Sequence, residues 1–436
     1  MNRSTFVFGL VWAVTALCLR PSDARGAMSC DITGGFSAVS RPQCSDANKD
    51  QSKNPTISGF LLNDLKAAQE AQKAQNWSLE VQKLKAAQAA HGRRTAYDDF
   101  VINSWLGVAE TELKDYADAA PALETAGESQ YAAPAQQKVM LPTALSFYSQ
   151  LQQYPKAIDV GQYAIKHGLA DSSVYVTVAV DQKDVGQYQQ AAATIQQLID
   201  MESKPEEQYL NFQLDAYNHA SDQPDENKVL GELVTYYPKP DYWLVALQPL
   251  LKMSSSDPHL QLDVYRLMNE VGALKTSNDY AQMAELSFSA GYPAETVAVL
   301  QRAFATDVFT TPDDIMRYQH MLTGAMQKTT EDEASLSSQQ AKAESAATGD
   351  PLVAVGAAYL SYGQADKAAS VISQGIAKGG LKYAEEASLL LGMAQLKSHN
   401  AAAAIDTFSK VGKSDNVGYA QLGSLWVLRS KAAAAT

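Results

Sequence analysis

Strand-like sequence is scarce in this chain of 436 residues. Alternating runs rich in Val and Thr and bounded by Gly turns are few, which argues against a fold built on sheets. Cysteine is scarce as well, with 3 residues, so no dense disulfide framework holds the chain together. No stripe of Lys and Arg offsets a net charge of −13. A chain so acidic repels phosphate backbones and anionic lipid surfaces, and nucleic acid is not an expected partner. What is abundant is Ala, Gln, Leu, Lys and Glu, all good helix formers, and the composition points to an all-α chain.

The first residues stand apart from that composition. Arg3, the apolar run from Thr5 to Leu19 and the polar stretch RPSDARGA have the layout of a secretory signal, with a small-residue exit at Ser22 and Ala24. The apolar run holds about 15 residues, short of the roughly 20 that a spanning helix needs. Cleavage after Ala24 makes residues 1–24 the signal peptide; an uncleaved interfacial anchor is the competing reading. Cys18 follows the bulky Leu17, unlike the small residue found before lipoprotein cysteines. No later run is long enough to cross a bilayer, so no membrane insertion is expected after cleavage.

Export changes how the cysteines read. Without residues 1–24 the chain keeps Cys30 and Cys44, and a net charge of −14 once Arg3, Arg20 and Asp23 are gone. In an oxidising compartment this pair is expected to bond. Closing a loop of about 15 residues contributes about 3 kcal/mol in the chain-entropy model. Two free thiols on a loose tail are the alternative. Residues 25–57, rich in Ser, Asn, Pro and Gly and without helical period, read as an irregular arm.

From there a ladder of small and bulky residues recurs. In YLSYGQADKAASVI and its flanks the order is Gly356, Tyr359, Gly363, Ala368, Ile372, Gly375. The same order runs through Gly107, Tyr116, Ala119, Leu123, Ala126 and through Gly392, Ala404, Phe408, Val411. Further copies run through Ala179, Gly186, Ala191 and Ile195, through Leu145, Tyr154 and Ala157, through Ala284, Gly291 and Leu300, and through Ala68, Trp77 and Leu84. Weaker copies start near Leu214, Leu247 and Leu322, and a partial one at Gly423. The Leu247 copy departs most, its second helix starting after SSSDP. From Ala68 to Gly423 the mean step is about 35 residues, and such a period signals a repeat architecture. Within each copy, apolar residues fall at three- and four-residue intervals, the mark of helices with one buried face. The tetrads SYGQ, SAGY, LKDY and DVGQ read as the turns between paired helices.

This period and pattern resemble the tetratricopeptide repeat family, over residues 58–433 and about ten helix pairs. The resemblance implies an all-α, right-handed superhelical solenoid of antiparallel helix pairs, each stacked on its neighbours. It also implies a protein or peptide partner bound on the concave face, lined mainly by the first helix of each pair. Tyr148, Tyr175, Tyr217 and Tyr359 fall at its internal packing positions. The segment TTEDEASLSS reads as a helix start capped by Thr329 or Thr330, with a linker between subdomains as the other reading.

No chemistry is spelled out. His91, His167, His219, His259, His320 and His399 are scattered, none at ligand spacing with another His or Cys, so no metal or cofactor is expected. GKS at Gly412 lacks the earlier glycine of a phosphate loop, since Thr407 holds that place. The adjacent acids Asp98 and Asp99, or Glu206 and Glu207, point apart on a helix. In TYYPKPDYW, residues 235–243, the aromatics read as a plug between repeats ahead of a binding anchor. Expected, then, is a non-catalytic interaction adaptor of the cell envelope, periplasmic, with no catalytic residue. Self-assembly of the repeats and a docking arm of an enzyme complex are the alternatives.

Overall fold

The computed structural model describes residues 55–90 and 92–434. The signal segment 1–24, nearly all of the arm 25–57, Cys30 and Cys44, and His91 lie outside the described residues. Among the described residues there are twenty α-helices, two short 3-10 turns and no strand. The chain is an all-α helical repeat, as its pattern predicts. The described residues divide into two compact units, the first running to residue 203 and including 215–221, the second made of 204–214 with the residues from 222 onward.

Unit 1 holds α1 (Leu62–Lys73), α2 (Trp77–Ala89), α3 (Ala96–Glu112), α4 (Tyr116–Gly127), α5 (Pro134–Gln150), α6 (Tyr154–Lys166), α7 (Ser172–Asp184) and α8 (Tyr188–Ile199). Helix α9 (Glu207–Ala220) supplies residues to both units. Unit 2 continues with α10 (Gln223–Tyr236), α11 (Pro240–Met253), α12 (Pro258–Glu270), α13 (Ser277–Ser289), α14 (Pro293–Ala305) and α15 (Pro312–Glu344). It ends with α16 (Asp350–Ser361), α17 (Ala365–Lys378), α18 (Ala384–Lys397), α19 (Ala401–Val411) and α20 (Val417–Ala434). Several of the helices begin where the sequence supplies caps. Thr95 and Asp98 form a capping box on α3, and the side chains of Asn76, Asp171, Asp257, Thr276, Thr311 and Asn400 each accept from a first-turn amide.

The predicted tetrads are the turns inside pairs: α3 to α4, α7 to α8, α13 to α14 and α16 to α17. Each turn passes through one left-handed residue, Lys114, Gly186, Gly291 or Gly363, with φ of 61°, 79°, 83° and 75°. That conformation lets the second helix reverse against the first, and it costs least at glycine. The glycines at the head of the ladder do a different job. A Cβ on Gly107 would lie 2.6 Å from Leu123 Cδ2, one on Gly356 2.4 Å from Ile372 Cγ1, and one on Gly392 2.5 Å from Phe408 Cε1. In all three pairs the bulky partner stands sixteen residues on, on the facing helix. The small residue is therefore the hole into which the next helix packs.

Tyr148, Tyr175 and Tyr359 are buried as expected, whereas Tyr217 is half-buried. The segment around residue 330 departs from the expectation. Thr329 and Thr330 start no helix and mark no linker; they sit inside α15, a helix of 33 residues, and their hydroxyls donate back to the Ala325 and Met326 carbonyls. The cap is Thr311, and from Thr311 onward no residue interrupts the helix, because Gly324 is tolerated and Pro312 stands in its first turn. The Leu322 copy is thus a helix pair whose turn is missing.

In unit 1, contacts run between helices adjacent in sequence and their near neighbours. In unit 2 they also return: α20 packs on α10, α11 and α12 as well as on α19, and α18 packs on α12. Gly418 lets this happen, since a Cβ there would meet Leu260 Cδ2 at 2.4 Å, and Leu428 lies over Gly231. Arg429 donates to Glu270 Oε1 at 2.9 Å, across 159 residues of chain. The repeats of unit 2 accordingly touch more than their sequence neighbours, and one apolar core runs from Val234 to Trp426.

Gly363→Ala adds a Cβ that meets nothing within 4 Å but leaves φ at 75°, so urea unfolding should show a loss of about 1 kcal/mol from backbone strain alone. Gly356→Ala, where the added carbon meets Ile372, should cost more, about 1–3 kcal/mol.

Candidate functional site

Unit 1 presents a groove of about 460 Å³ lined by Ala96, Asp99 and Phe100 of α3, by Pro121, Glu124 and Thr125 of α4, and by Glu128 and Ser129 just beyond it. Asp99 is paired with Arg94 at 2.7 Å. Glu124 accepts from the Tyr148 hydroxyl at 2.5 Å, and burial with this carboxylate pushes the Tyr148 phenol well above its ordinary value. Burial, then the nearby Glu124 charge, raises the Glu128 carboxyl too. The groove therefore sets negative charge beside the small exposed side chains of Ala96 and Pro121, with Phe100 largely buried beneath them.

Just outside it, Asp98 is fully buried and works as a clamp. Its carboxylate accepts from the Ser58 amide at 2.9 Å and hydroxyl at 2.6 Å, and from the Thr95 amide at 2.8 Å. Burial alone would raise its pKa, but these donors outweigh burial and hold it below the usual carboxylate range. Asp98 and Asp99 thus point apart, as helix geometry requires. Glu206 and Glu207 also separate, the first accepting from Gln208 and the second from Lys239 and Tyr242.

The aromatic segment 235–243 turns mostly inward, although Tyr236 is exposed. Trp243 is 1% exposed, the Tyr237 hydroxyl donates to the Pro205 carbonyl, and Tyr242 bonds Glu207 and Asn211. Among the histidines, the rings of His167 and His219 bond carbonyls of their own helices. The GKS sequence occupies the turn after α19, where Ser414 donates to Glu385. The Thr407 hydroxyl in α19 donates to Gln395.

Unit 2 holds a group of charges that the sequence reading passed over. Arg266 of α12 is 7% exposed and donates through Nε and one terminal nitrogen to Glu295 of α14, at 2.8–3.2 Å. Its other nitrogen reaches Asp263 at 2.8 Å and approaches Glu386 of α18 at 3.8 Å. His259 Nδ1 lies 2.8 Å from Glu386, and its ring stacks on Tyr383 with centroids 3.8 Å apart. The Arg266 guanidinium also lies over the Tyr292 ring. Burial works against the charge of Arg266, but Glu295 and Asp263 more than offset it, so the guanidinium stays protonated. Three carboxylates then share one arginine. Burial is the main reason that the Asp263 carboxyl rises to about 8, with Glu386 and Glu295 adding to it and Arg266 opposing it. Asp263 Oδ2 is buried without a hydrogen-bond partner. The signal in the sequence was LQLDVYRLM, an Asp and an Arg three apart in a run otherwise apolar enough to be buried on every side.

No family model matches the chain, and no curated protein matches it. Among solved structures it is similar to a tetratricopeptide repeat protein from Parabacteroides merdae, with 12% identity, 78% of this chain and 100% of that one covered, and a TM-score of 0.28. It is similar also to a pentatricopeptide repeat protein from maize, at 14% identity over 83% of this chain and 61% of that one, with a TM-score of 0.26. Yeast Tom70 is a third, at 11% identity over 85% and 95%, with a TM-score of 0.23. Likenesses at these scores carry no functional argument, and the reading below rests on the chain's own residues.

Two substitutions separate the roles of these charges. Arg266→Met should cost about 3–5 kcal/mol in urea unfolding, because it strands buried carboxylates. Asp98→Asn should cost about 1–3 kcal/mol near neutral pH. Since the folded pKa of Asp98 is depressed, its contribution is present above the ordinary carboxylate value of about 4 and lost as pH falls below it. The unfolding curves of Asp98→Asn and of the unsubstituted protein should therefore converge in acid.

Proposed function

We propose that this chain is a non-catalytic protein-interaction scaffold that binds a peptide or protein segment along unit 1. The observation that carries the reading is the α3–α4 groove, where burial and the nearby Glu124 charge raise the Glu128 carboxyl and the exposed Ala96 and Pro121 offer apolar walls. A basic segment, with Lys or Arg entering the groove, meets both features. The rigid helices around it have already lost their conformational freedom, which lowers the entropic cost of binding. The resemblance implies that the remainder of the partner lies along the concave face lined by first helices. In α3, α5 and α7, the first helices of their pairs, Asn103, Thr143, Ser146 and Thr177 are half-exposed uncharged polar side chains.

The reading places the scaffold in a bacterial cell envelope, on the periplasmic side, on the strength of the signal layout in residues 1–24. It includes a bond between Cys30 and Cys44 in the arm. Intact-mass and thiol analysis of protein from its own cell should find a chain starting near Arg25 and no titratable thiol. A chain still starting at Met1, or two reactive thiols after denaturation, would count against export and against the bond.

The partner itself is tested in place. A photo-crosslinking residue at the exposed position of Thr125 should capture one protein in the native compartment, and Glu128→Lys should abolish the capture. No adduct, or an adduct indifferent to Glu128→Lys, would contradict the groove as the binding site. An adduct with a second copy of the chain would replace the scaffold reading by self-assembly.

A further inference from the structure

The return of the last helices in unit 2 places charges where packing alone needs none. The face of α12 is covered by α18 and α20, through Gly418 against Leu260, through Arg429 and Glu270, and through the bond between His259 and Glu386. Across the same joint Asp263 of α12 and Glu386 of α18 are like charges, both nearly removed from water. The groups around Asp263 are Arg266 and, one turn earlier on its own helix, His259, which bonds Glu386; Glu295 of α14 and Tyr292 just before it; Glu386 from α18; and Tyr419 from α20. From α11 come the buried Trp243, Leu247 and Leu250, while Asp279 of α13 acts on Tyr265. One guanidinium serves three carboxylates, so full ionisation leaves the joint with excess negative charge on both of its sides.

The chain leading into the closing segment turns at two glycines, where the Gly379 carbonyl accepts from the Gly349 amide at 2.8 Å. Gly379 and Gly380 are consecutive left-handed residues, with φ of 75° and 67°, between α17 and the three helices that follow. Two glycines in a row lower the barrier to changing the direction of the chain at that point.

We propose that unit 2 is a pH-sensitive clasp: α18 and α20 close on α12 while Asp263 carries a proton, and they loosen, baring that face of α12, when the proton leaves. The sign follows from the site. In the folded state burial raises the Asp263 carboxyl above its unfolded value, so closure is favoured at low pH and is lost as pH rises through the folded value. Ionised Asp263 repels Glu386 across the joint, and the α18 end of the clasp feels the repulsion directly. The inference is independent of the partner proposed for unit 1.

Amide hydrogen exchange of the full-length protein, expressed as protection factors so that the intrinsic chemistry of exchange cancels, tests this at about pH 6 and about pH 9, either side of the Asp263 transition. Protection in α18 and α20 should fall at least about tenfold between the two, with α1 to α8 changing far less. Asp263→Asn, which keeps the acceptor for Arg266 and removes the charge, should hold the higher-pH protection near its lower-pH level. Equal protection in the unsubstituted protein at both pH values would overturn the clasp. So would a fall of the same size in Asp263→Asn, or one spread evenly over α1 to α20.

Discussion

No single pair of helices in this chain can bury its own apolar face, and everything else in the structure answers that constraint. Each pair must be covered on both sides, and cover requires close approach. Gly107, Gly356 and Gly392 supply it by offering no Cβ where Leu123, Ile372 and Phe408 arrive. The left-handed turn residues then bring the second helix back along the first. Small residues and turn residues thus act together: one sets how near the helices lie, the other sets their return.

Cover runs out at the ends of a row, and the two units show local solutions. In unit 1 the entering segment is tied by Ser58 to the buried Asp98, which simultaneously caps α3. In unit 2 the final helix lies against α10, α11 and α12. That closure carries a buried arginine with three carboxylates, an arrangement whose desolvation is costly and whose geometry is demanding. Such groups contribute less to net stability than to fixing which surfaces meet, and here they make the meeting depend on a proton.

Much of the fold was legible. Gly107 and Gly356 could be paired with their partners from spacing alone, because the crossing of two helices repeats at a fixed interval. The aromatics of residues 235–243 could be read as a plug because prolines nearby end helices. What stayed hidden involves distant partners. The apolar run around Asp263 and Arg266 hints that the pair is buried, but nothing local says that Glu295 and Glu386 arrive from other helices to meet it. The return of α20 had no local marker beyond Gly418, a small residue among many. Thr329 and Thr330 misled for the opposite reason: a hydroxyl before acids can cap a helix, but inside a continuing helix it bonds back to the previous turn instead.

The closure of unit 2 on α12 is read directly by a covalent trap. Leu260 and Gly418 meet across the joint, a Cβ on Gly418 lying 2.4 Å from Leu260 Cδ2, so Leu260→Cys and Gly418→Cys in the full-length chain put two thiols at the contact. Mild oxidation should link them within one molecule, giving a compact monomer on a non-reducing gel and loss of both introduced thiols. Thiols that stay reactive, or chains joined to one another in place of themselves, would mean that the last helix does not lie on α12.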